Sequence, residues 1–381
     1  MRRFFEKITR QFLFIIFLSG ISFSQIIAED IAVGKIIEKR QIEISAPQDF
    51  LVEDAHSKKR FVFQKDKEYS LKIHDSYVSF GDRRFTKLIF ITHMSKGIKI
   101  CGITHYGNIS LKRTQKSYLL VVDKMDVEDY LLGVLPAEVG TGWNLDALMV
   151  QAIISRTYAL REKSRHSKEG FDVCAGVHCQ VFRSLNASDS KIKDAVRSTK
   201  GLVLTYEGEL ARTYFHACCG GRTSSANSVW GGSDSIEYLR AVGDCCCKKS
   251  PHYKWKRFID SEKIYGALRK QGKNPKIKNI KSVAVSKKDE SGRAKEFIFR
   301  FPGERFEINA NAFRLGIGPE LLRSTKITGI ERRKNGFIFH GRGWGHGVGL
   351  CQWGAKDMSE RGYSYRKILN HYYPGTRINK R

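Results

Sequence analysis

From Gly341 to Gly354 the chain reads Gly-Arg-Gly-Trp-Gly-His-Gly-Val-Gly-Leu-Cys-Gln-Trp-Gly, six glycines in fourteen positions. Glycine loses more backbone freedom on folding than any other residue, so ordering such a run is costly. The run makes sense where the backbone needs positive φ or must approach a ligand closely. No Lys-Ser/Thr pair follows it, and its spacing does not fit a dinucleotide fingerprint, so phosphate-cradling functions are set aside. What remains is a shaped loop that presents Trp344, His346 and Trp353. Two indoles offer flat apolar faces to a sugar, and an imidazole exchanges protons near neutral pH. The alternative is a tight turn that holds two core tryptophans.

A second constraint lies upstream. Leu145, Leu148, Met149, Ala152, Ile153, Ala159 and Leu160 recur at helical spacing and predict a helix over 144–162 with a buried stripe. Arg156 falls on that stripe, and an unpaired buried guanidinium is very costly. It must therefore either pair with a nearby acid (Asp126, Glu128 or Asp129) or reach a polar cleft, where it would orient Glu138 or hold a substrate oxygen. Gln151, Ser155 and Tyr158 occupy the adjoining face. Residues 133–143, punctuated by Pro136, Gly140 and Gly142, read as the loop that carries Glu138.

Alternating runs at Ile42–Ser45, Arg60–Phe63, Tyr77–Phe80 and Lys87–Thr92 predict N-terminal strands. Further on, the pattern predicts hairpins over 201–217 (turning at Glu207-Gly208) and over 281–300, a strand at 337–340, and helices near 262–272, 355–361 and 364–373. The fold class is α+β: a mixed β-rich core with a central helix after the Glu138 loop, plus a small N-terminal β-rich region. The expected divisions are 1–28, 29–118 and 119–378, with charged breaks near 118 and in 248–262.

Residues 1–28 read as a signal peptide, with Arg2, Arg3, Lys7 and Arg10 before a short apolar run; the alternative is an uncleaved membrane anchor. Either places the protein outside the cytoplasm, in the periplasm or the cell envelope. The net charge of +28 favours polyanions, but the basic residues are scattered and form no nucleic-acid motif, so nucleic acid is not an expected partner. Nine cysteines include Cys174 and Cys179, which flank His178, with His166 upstream. Thiolate and imidazole are zinc's preferred ligands, but an exported chain can equally hold a disulfide, Cys174–Cys179 or one reaching Cys218. The Cys245-Cys246-Cys247 run fits no pattern.

Five blocks then occur in order: Leu135-Pro136-Ala137-Glu138 with Gln151-Ala152 and Ser155–Leu160; Cys179-Gln180-Val181-Phe182; Gly220-Gly221-Arg222-Thr223 with Val229-Trp230; Gly343–Gly349 with Gln352-Trp353-Gly354-Ala355; and His371–Thr376. In this order and spacing they resemble the stage II sporulation protein D family, which includes amidase-enhancer proteins. The resemblance spans about residues 120–378. It implies a lytic transglycosylase that cleaves the β-1,4 bond between N-acetylmuramic acid and N-acetylglucosamine and leaves a 1,6-anhydro ring. It also implies a cell-wall amidase acting beforehand to strip stem peptides, and no cofactor for the chemistry.

The resemblance makes Glu138 the acid–base residue, with Gln151, Arg156, Tyr158, Trp344, His346 and Trp353 as candidates for holding substrate. It further implies a structural zinc in the Cys/His stretch, for which Cys174, His178, Cys179 and His166 are the candidates. Ordinary glycosidases need two carboxylates. Here the sugar's own 6-hydroxyl is the nucleophile, so one carboxyl suffices. Apolar neighbours would raise the Glu138 pKa, while a following helix N-terminus and Arg156 would lower it. The non-enzymatic alternative is a glycan-binding protein that recruits or enhances an amidase.

Overall fold

Alternation decides the N-terminal strands. In Gln41–Ser45, Ile42 and Ile44 are buried while Gln41 and Glu43 face solvent. The computed structural model describes residues 29–85, 88–183, 189–232, 236–244 and 246–381; the expected leader (1–28) and Cys245 lie outside them. One mixed sheet runs in the order 173–174, 30–37, 119–126, 103–113, 88–100, 41–45, 68–73, 78–80 and 83–85. A hairpin of 50–54 and 60–63 joins it through 88–100. The sheet encloses a core that includes Ile44, Val52, Leu71, Phe80 and Ile100.

The boundary expected at residue 118 falls inside this sheet. Leu119–Asp126 lies between Asp30–Ile37 and Ile103–Arg113, and Leu119 to Val122 are buried in succession. A strand apolar on both faces must sit in a sheet's interior. It therefore completes the N-terminal sheet and feeds straight into a helix.

That helix, Val127–Glu138, replaces most of the expected loop. Asp126 caps it by accepting the Glu128 N–H at 2.8 Å, and Glu128 and Asp129 complement the dipole in its first turn. Pro136 lies within its last turn, which the Val139 N–H closes on the Leu135 carbonyl at 2.9 Å. Burial of Tyr130, Leu131, Val134 and Leu135 outweighs proline's local penalty.

The central helix, Leu145–Arg161, forms as expected but is buried nearly all round. Its Val150, Ile153 and Ile154 enter one core, and its Leu148, Ala152, Ala159 and Leu160 another. Arg156 is only 1% exposed. Its guanidinium grips both Glu128 oxygens, at 2.9 and 2.6 Å, and donates to the Leu202 carbonyl at 2.9 Å. Of the alternatives read from sequence, the structure selects the ion pair with Glu128.

The stretch read as one domain over 119–378 holds a second unit. Strands at 254–260, 327–333 and 336–342 form one sheet, and strands at 282–288, 294–301 and 304–309 form another. With helices Ser261–Lys270 and Ala310–Ile317 they enclose their own core around Leu268, Phe297, Phe299, Phe313 and Phe339. The charged stretch 248–262 marks the entry to this lobe, and the glycine-rich loop follows its last strand. The hairpin expected over 201–217 is shorter than read. Leu202–Tyr206 pairs with Glu209–Leu210 and with Arg377–Lys380, whereas Phe215–His216 departs to pair with Leu350–Cys351.

Removing one partner of a buried ion pair strands the other. Arg156→Ala is expected to lose about 3–5 kcal/mol of unfolding free energy in a urea titration. A loss under about 1 kcal/mol, the usual worth of an exposed pair, would show the pair to be inert.

Candidate functional site

Glu138 is the last residue of the Val127–Glu138 helix. Its Oε1 accepts the Val181 N–H at 2.7 Å. Its carbonyl accepts from the Gln352 amide at 3.4 Å, and Gln352 also donates to Gln151, again at 3.4 Å. Gln151 donates in turn to Ser155 at 3.0 Å. The expected contact residue Gln151 is thus a buried strut that fixes the glycine-rich segment against the Glu138 turn.

Burial raises the Glu138 pKa, and the Val181 hydrogen bond offsets part of the rise. The two opposing influences expected from sequence do not operate as read. Glu138 ends the preceding helix, where unpaired carbonyls disfavour a carboxylate, and Arg156 is committed to Glu128. Around Glu138, the Tyr130 phenol donates to Gln180 at 3.1 Å and its ring stacks on Phe182 with centroids 5.5 Å apart. Both the Cys179 thiol and the Glu138 carboxyl help to hold the Tyr130 pKa up, after burial. Tyr158 is raised too, by burial first and by Cys179 second.

Trp353 and Trp344 belong to one aromatic row. Trp143 meets Trp353 at 5.9 Å, Trp353 meets His252 at 6.2 Å, and His252 meets Trp344 at 4.6 Å between ring centroids. Cations cover two of its rings, Lys356 over Trp353 at 5.3 Å and Arg323 over Trp344, at one end, at 4.4 Å. Trp143 and His252 were not singled out from sequence; a tryptophan five residues after Glu138 was the available signal for the first.

His346 sits elsewhere, among Trp230, His216 and Tyr214, at centroid distances of 5.2, 5.5 and 6.4 Å. Its Nδ1 accepts the Val348 N–H at 3.0 Å. Burial, with Arg314 and Arg293 adding to it, pushes its pKa down to about 3. Burial and the bond from Val348 thus favour the neutral ring.

The loop's shape explains its glycines. Gly345 has φ +108°, and a Cβ there would lie 2.6 Å from the His216 Cβ; at Gly349, with φ +70°, it would lie 2.1 Å from the Tyr214 carbonyl oxygen. Arg293, buried in the second lobe's hairpin, donates to the Cys219 carbonyl at 2.9 Å and to the Gly345 carbonyl at 3.3 Å. No sequence signal pointed to it.

The expected metal ligands converge. One donor atom each from His166, Cys174, His178 and Cys179 lies within 4.8 Å of the others. Cys179 Sγ is 3.4 Å from His166 Nε2 and 3.6 Å from His178 Nδ1, and Cys174 Sγ is 3.7 Å from the same Nδ1. His166 Nδ1 meets Glu169 at 2.8 Å, the carboxylate–histidine pairing that orients ligating imidazoles. Both cysteines are free thiols. Four soft donors at these spacings fit one tetrahedral zinc.

The raised Glu138 pKa makes a stability prediction. A carboxyl whose folded pKa exceeds its unfolded value destabilises the fold above the folded pKa, and the penalty vanishes below the unfolded value. Glu138→Gln, which keeps an oxygen for the Val181 N–H, is expected to melt higher than the parent at pH 7. The difference should shrink as the pH falls to about 4, near the unfolded carboxyl value. A constant difference across that range in thermal melts would contradict the shift.

Comparison with known proteins gives the chain relatives. A family model described as "Stage II sporulation protein" matches residues 115–206, and a domain of unknown function matches 226–349, which takes in the second lobe. An uncharacterized protein of Brachyspira hyodysenteriae is 32% identical over 74% of each chain. An amidase enhancer of Bacillus subtilis is 29% identical over 65% of this chain and 40% of its own length. The stage II sporulation protein D of Bacillus amyloliquefaciens is 28% identical over 68% of this chain and 76% of its own length. By these matches, and by the blocks that surround Glu138, the chain belongs to the stage II sporulation protein D family and to the proteins of bacterial cell-wall processing.

Proposed function

We propose that the protein is a lytic transglycosylase of peptidoglycan glycan strands, with Glu138 as its only acid–base residue. One observation carries the reading. Glu138 Oε1 is anchored by Val181, while among the described residues Oε2 has no hydrogen-bond partner and no cation pairs with the carboxyl. A carboxyl held this way is biased toward its protonated form and has one oxygen free to deliver the proton.

In the proposed reaction the Oε2 proton passes to the glycosidic oxygen as its bond to the muramic anomeric carbon breaks. The 6-hydroxyl of the same sugar attacks that carbon, and Glu138 takes the hydroxyl proton. Water is not consumed and the carboxyl ends protonated, ready for the next bond. Trp143, Trp353 and Trp344 would stack on sugar faces. The cleft lined by Arg161, Arg165, Arg212 and Lys380, with Glu162 and Glu209 beside them, has more cations than carboxylates and suits the lactyl carboxylates that amidase treatment leaves on denuded strands. Action after an amidase, at an exported location, belongs to this same reading.

A structural zinc on His166, Cys174, His178 and Cys179 is also part of the proposal. It would fix the Cys179–Val181 turn whose N–H holds Glu138, and would take no part in the chemistry.

A second reading rests on the relative that bears the name amidase enhancer: a glycan-binding partner of an amidase that needs no acid at residue 138. One assay separates the two. Denuded strands incubated with the protein should yield anhydromuramic ends by mass spectrometry, and Glu138→Gln should lower the rate by a factor of about 10²–10⁴. Activity should also fall as the pH rises through the raised Glu138 pKa. Equal product from the variant would exclude the mechanism. For the zinc, Cys179→Ala should lose one equivalent of metal by elemental analysis; an unchanged content, or a Cys174–Cys179 disulfide found by peptide mapping, would sink it.

A further inference from the structure

Behind the aromatic row lies a second convergence of ligands, distant in sequence from the first. Cys219, Asp244, Cys247 and Cys351 each bring one donor atom within 4.8 Å of the other three, and all four residues are buried. Cys219 Sγ lies 3.5 Å from Cys247 Sγ and 3.1 Å from Asp244 Oδ2. Thiolates about 2.3 Å from a tetrahedral zinc stand about 3.8 Å apart, close to this spacing. Clusters of several irons need wider thiolate frames, so the donor set encloses one ion.

We propose that Cys219, Cys247, Cys351 and Asp244 form a second, structural zinc site that pins the glycine-rich segment beneath Glu138. Three observations carry it. First, the sulfurs receive backbone N–H groups, from Gly221 to Cys219 at 3.2 Å and from Cys219 to Cys351 at 3.3 Å. Such donors suit thiolates and not neutral thiols.

Second, Asp244 is 2% exposed, its Oδ1 takes the Cys246 N–H at 2.9 Å, and its Oδ2 meets the Cys219 thiol at 3.1 Å beside Gly354 and the Tyr372 hydroxyl. Among the described residues no Lys, Arg or His ion-pairs with it. A buried carboxylate without a counter-charge is strongly unfavourable, and a divalent cation supplies one. Third, Arg293 is 1% exposed, bonds the Cys219 carbonyl and forms no ion pair among the described residues. Three thiolates and a carboxylate around Zn²⁺ carry a net negative charge that would balance this guanidinium.

A Cys219–Cys247 disulfide is the rival. It would use two of the thiols and leave Asp244 without a counter-charge. Binding zinc releases one proton from each of the three thiols, so loading should weaken as the pH falls. Its structural consequence is local. Cys351 directly precedes Gln352, whose amide bridges the Glu138 carbonyl and Gln151, so the ion would join the Cys219 turn, the Asp244–Cys247 turn and the loop's exit at one point. This site stands whether or not the transglycosylase reading does.

The test is made on the full chain, in a Cys174→Ala/Cys179→Ala variant in which the first site is removed. Purified with zinc, that variant should hold one equivalent by elemental analysis and native mass spectrometry, and the parent two. Exchange into cobalt(II) should give thiolate-to-metal charge-transfer absorption and tetrahedral ligand-field bands. Adding Asp244→Asn or Cys247→Ser should reduce zinc affinity by a factor of at least about ten, the usual effect of disturbing a metal's surroundings. A variant that folds but binds neither zinc nor cobalt would overturn the proposal. So would a Cys219–Cys247 disulfide mapped in the unreduced parent protein.

Discussion

The Arg156–Glu128 pair organises the molecule around it. Arg156 comes from the central helix, Glu128 from the first turn of the helix that ends at Glu138, and the Leu202 carbonyl and Gly201 N–H from the next strand. A guanidinium in the interior is tolerable only when its donors are filled. Satisfying it fixes the angle between the two helices, and that angle decides where Glu138 emerges. The residue supports the site without touching it.

On the opposite side the glycine-rich segment is held by backbone pairing. Cys218 and Trp344 exchange N–H···O bonds at 3.1 and 2.8 Å, Ser224 donates to Gly347 at 2.8 Å, and Leu350 donates to Tyr214 at 3.0 Å. Side chains at the alternate glycines would collide with that frame. The segment therefore acts as an extended stave threaded through the core, and Gln352, just past its end, reaches back to the Glu138 turn. The second lobe contributes Arg293 to this clamp, so it is coupled to the site and is not an appendage.

The electrostatics follow from placement. Glu138 lies at a helix C-terminus, away from cations, and is pushed toward its protonated form. His346 is buried near Arg314 and Arg293 and is pushed toward its neutral form. Both shifts favour uncharged groups because burial in a weakly polarisable medium penalises ions. Placement thus biases Glu138 toward the carboxylic acid and His346 toward the neutral imidazole.

By itself the sequence determined the central helix, the N-terminal strands and the need for a partner at Arg156, which are read from periodicity and burial cost, and the resemblance of its ordered blocks indicated the family. For His166, Cys174, His178 and Cys179 it left a metal site and a disulfide open, and the tertiary structure brought the four together. Tertiary structure alone decided that Pro136 lies within a helix, because packing of Tyr130 and Leu135 overrode a local breaker. It alone divided 119–378 into two cores, chose Glu128 over Asp126 and Asp129, and moved His346 into a cluster with Trp230. It also gathered Cys219, Asp244, Cys247 and Cys351, which stand up to 132 positions apart. No spacing rule reaches that far, since only the folded path of the chain brings such residues together.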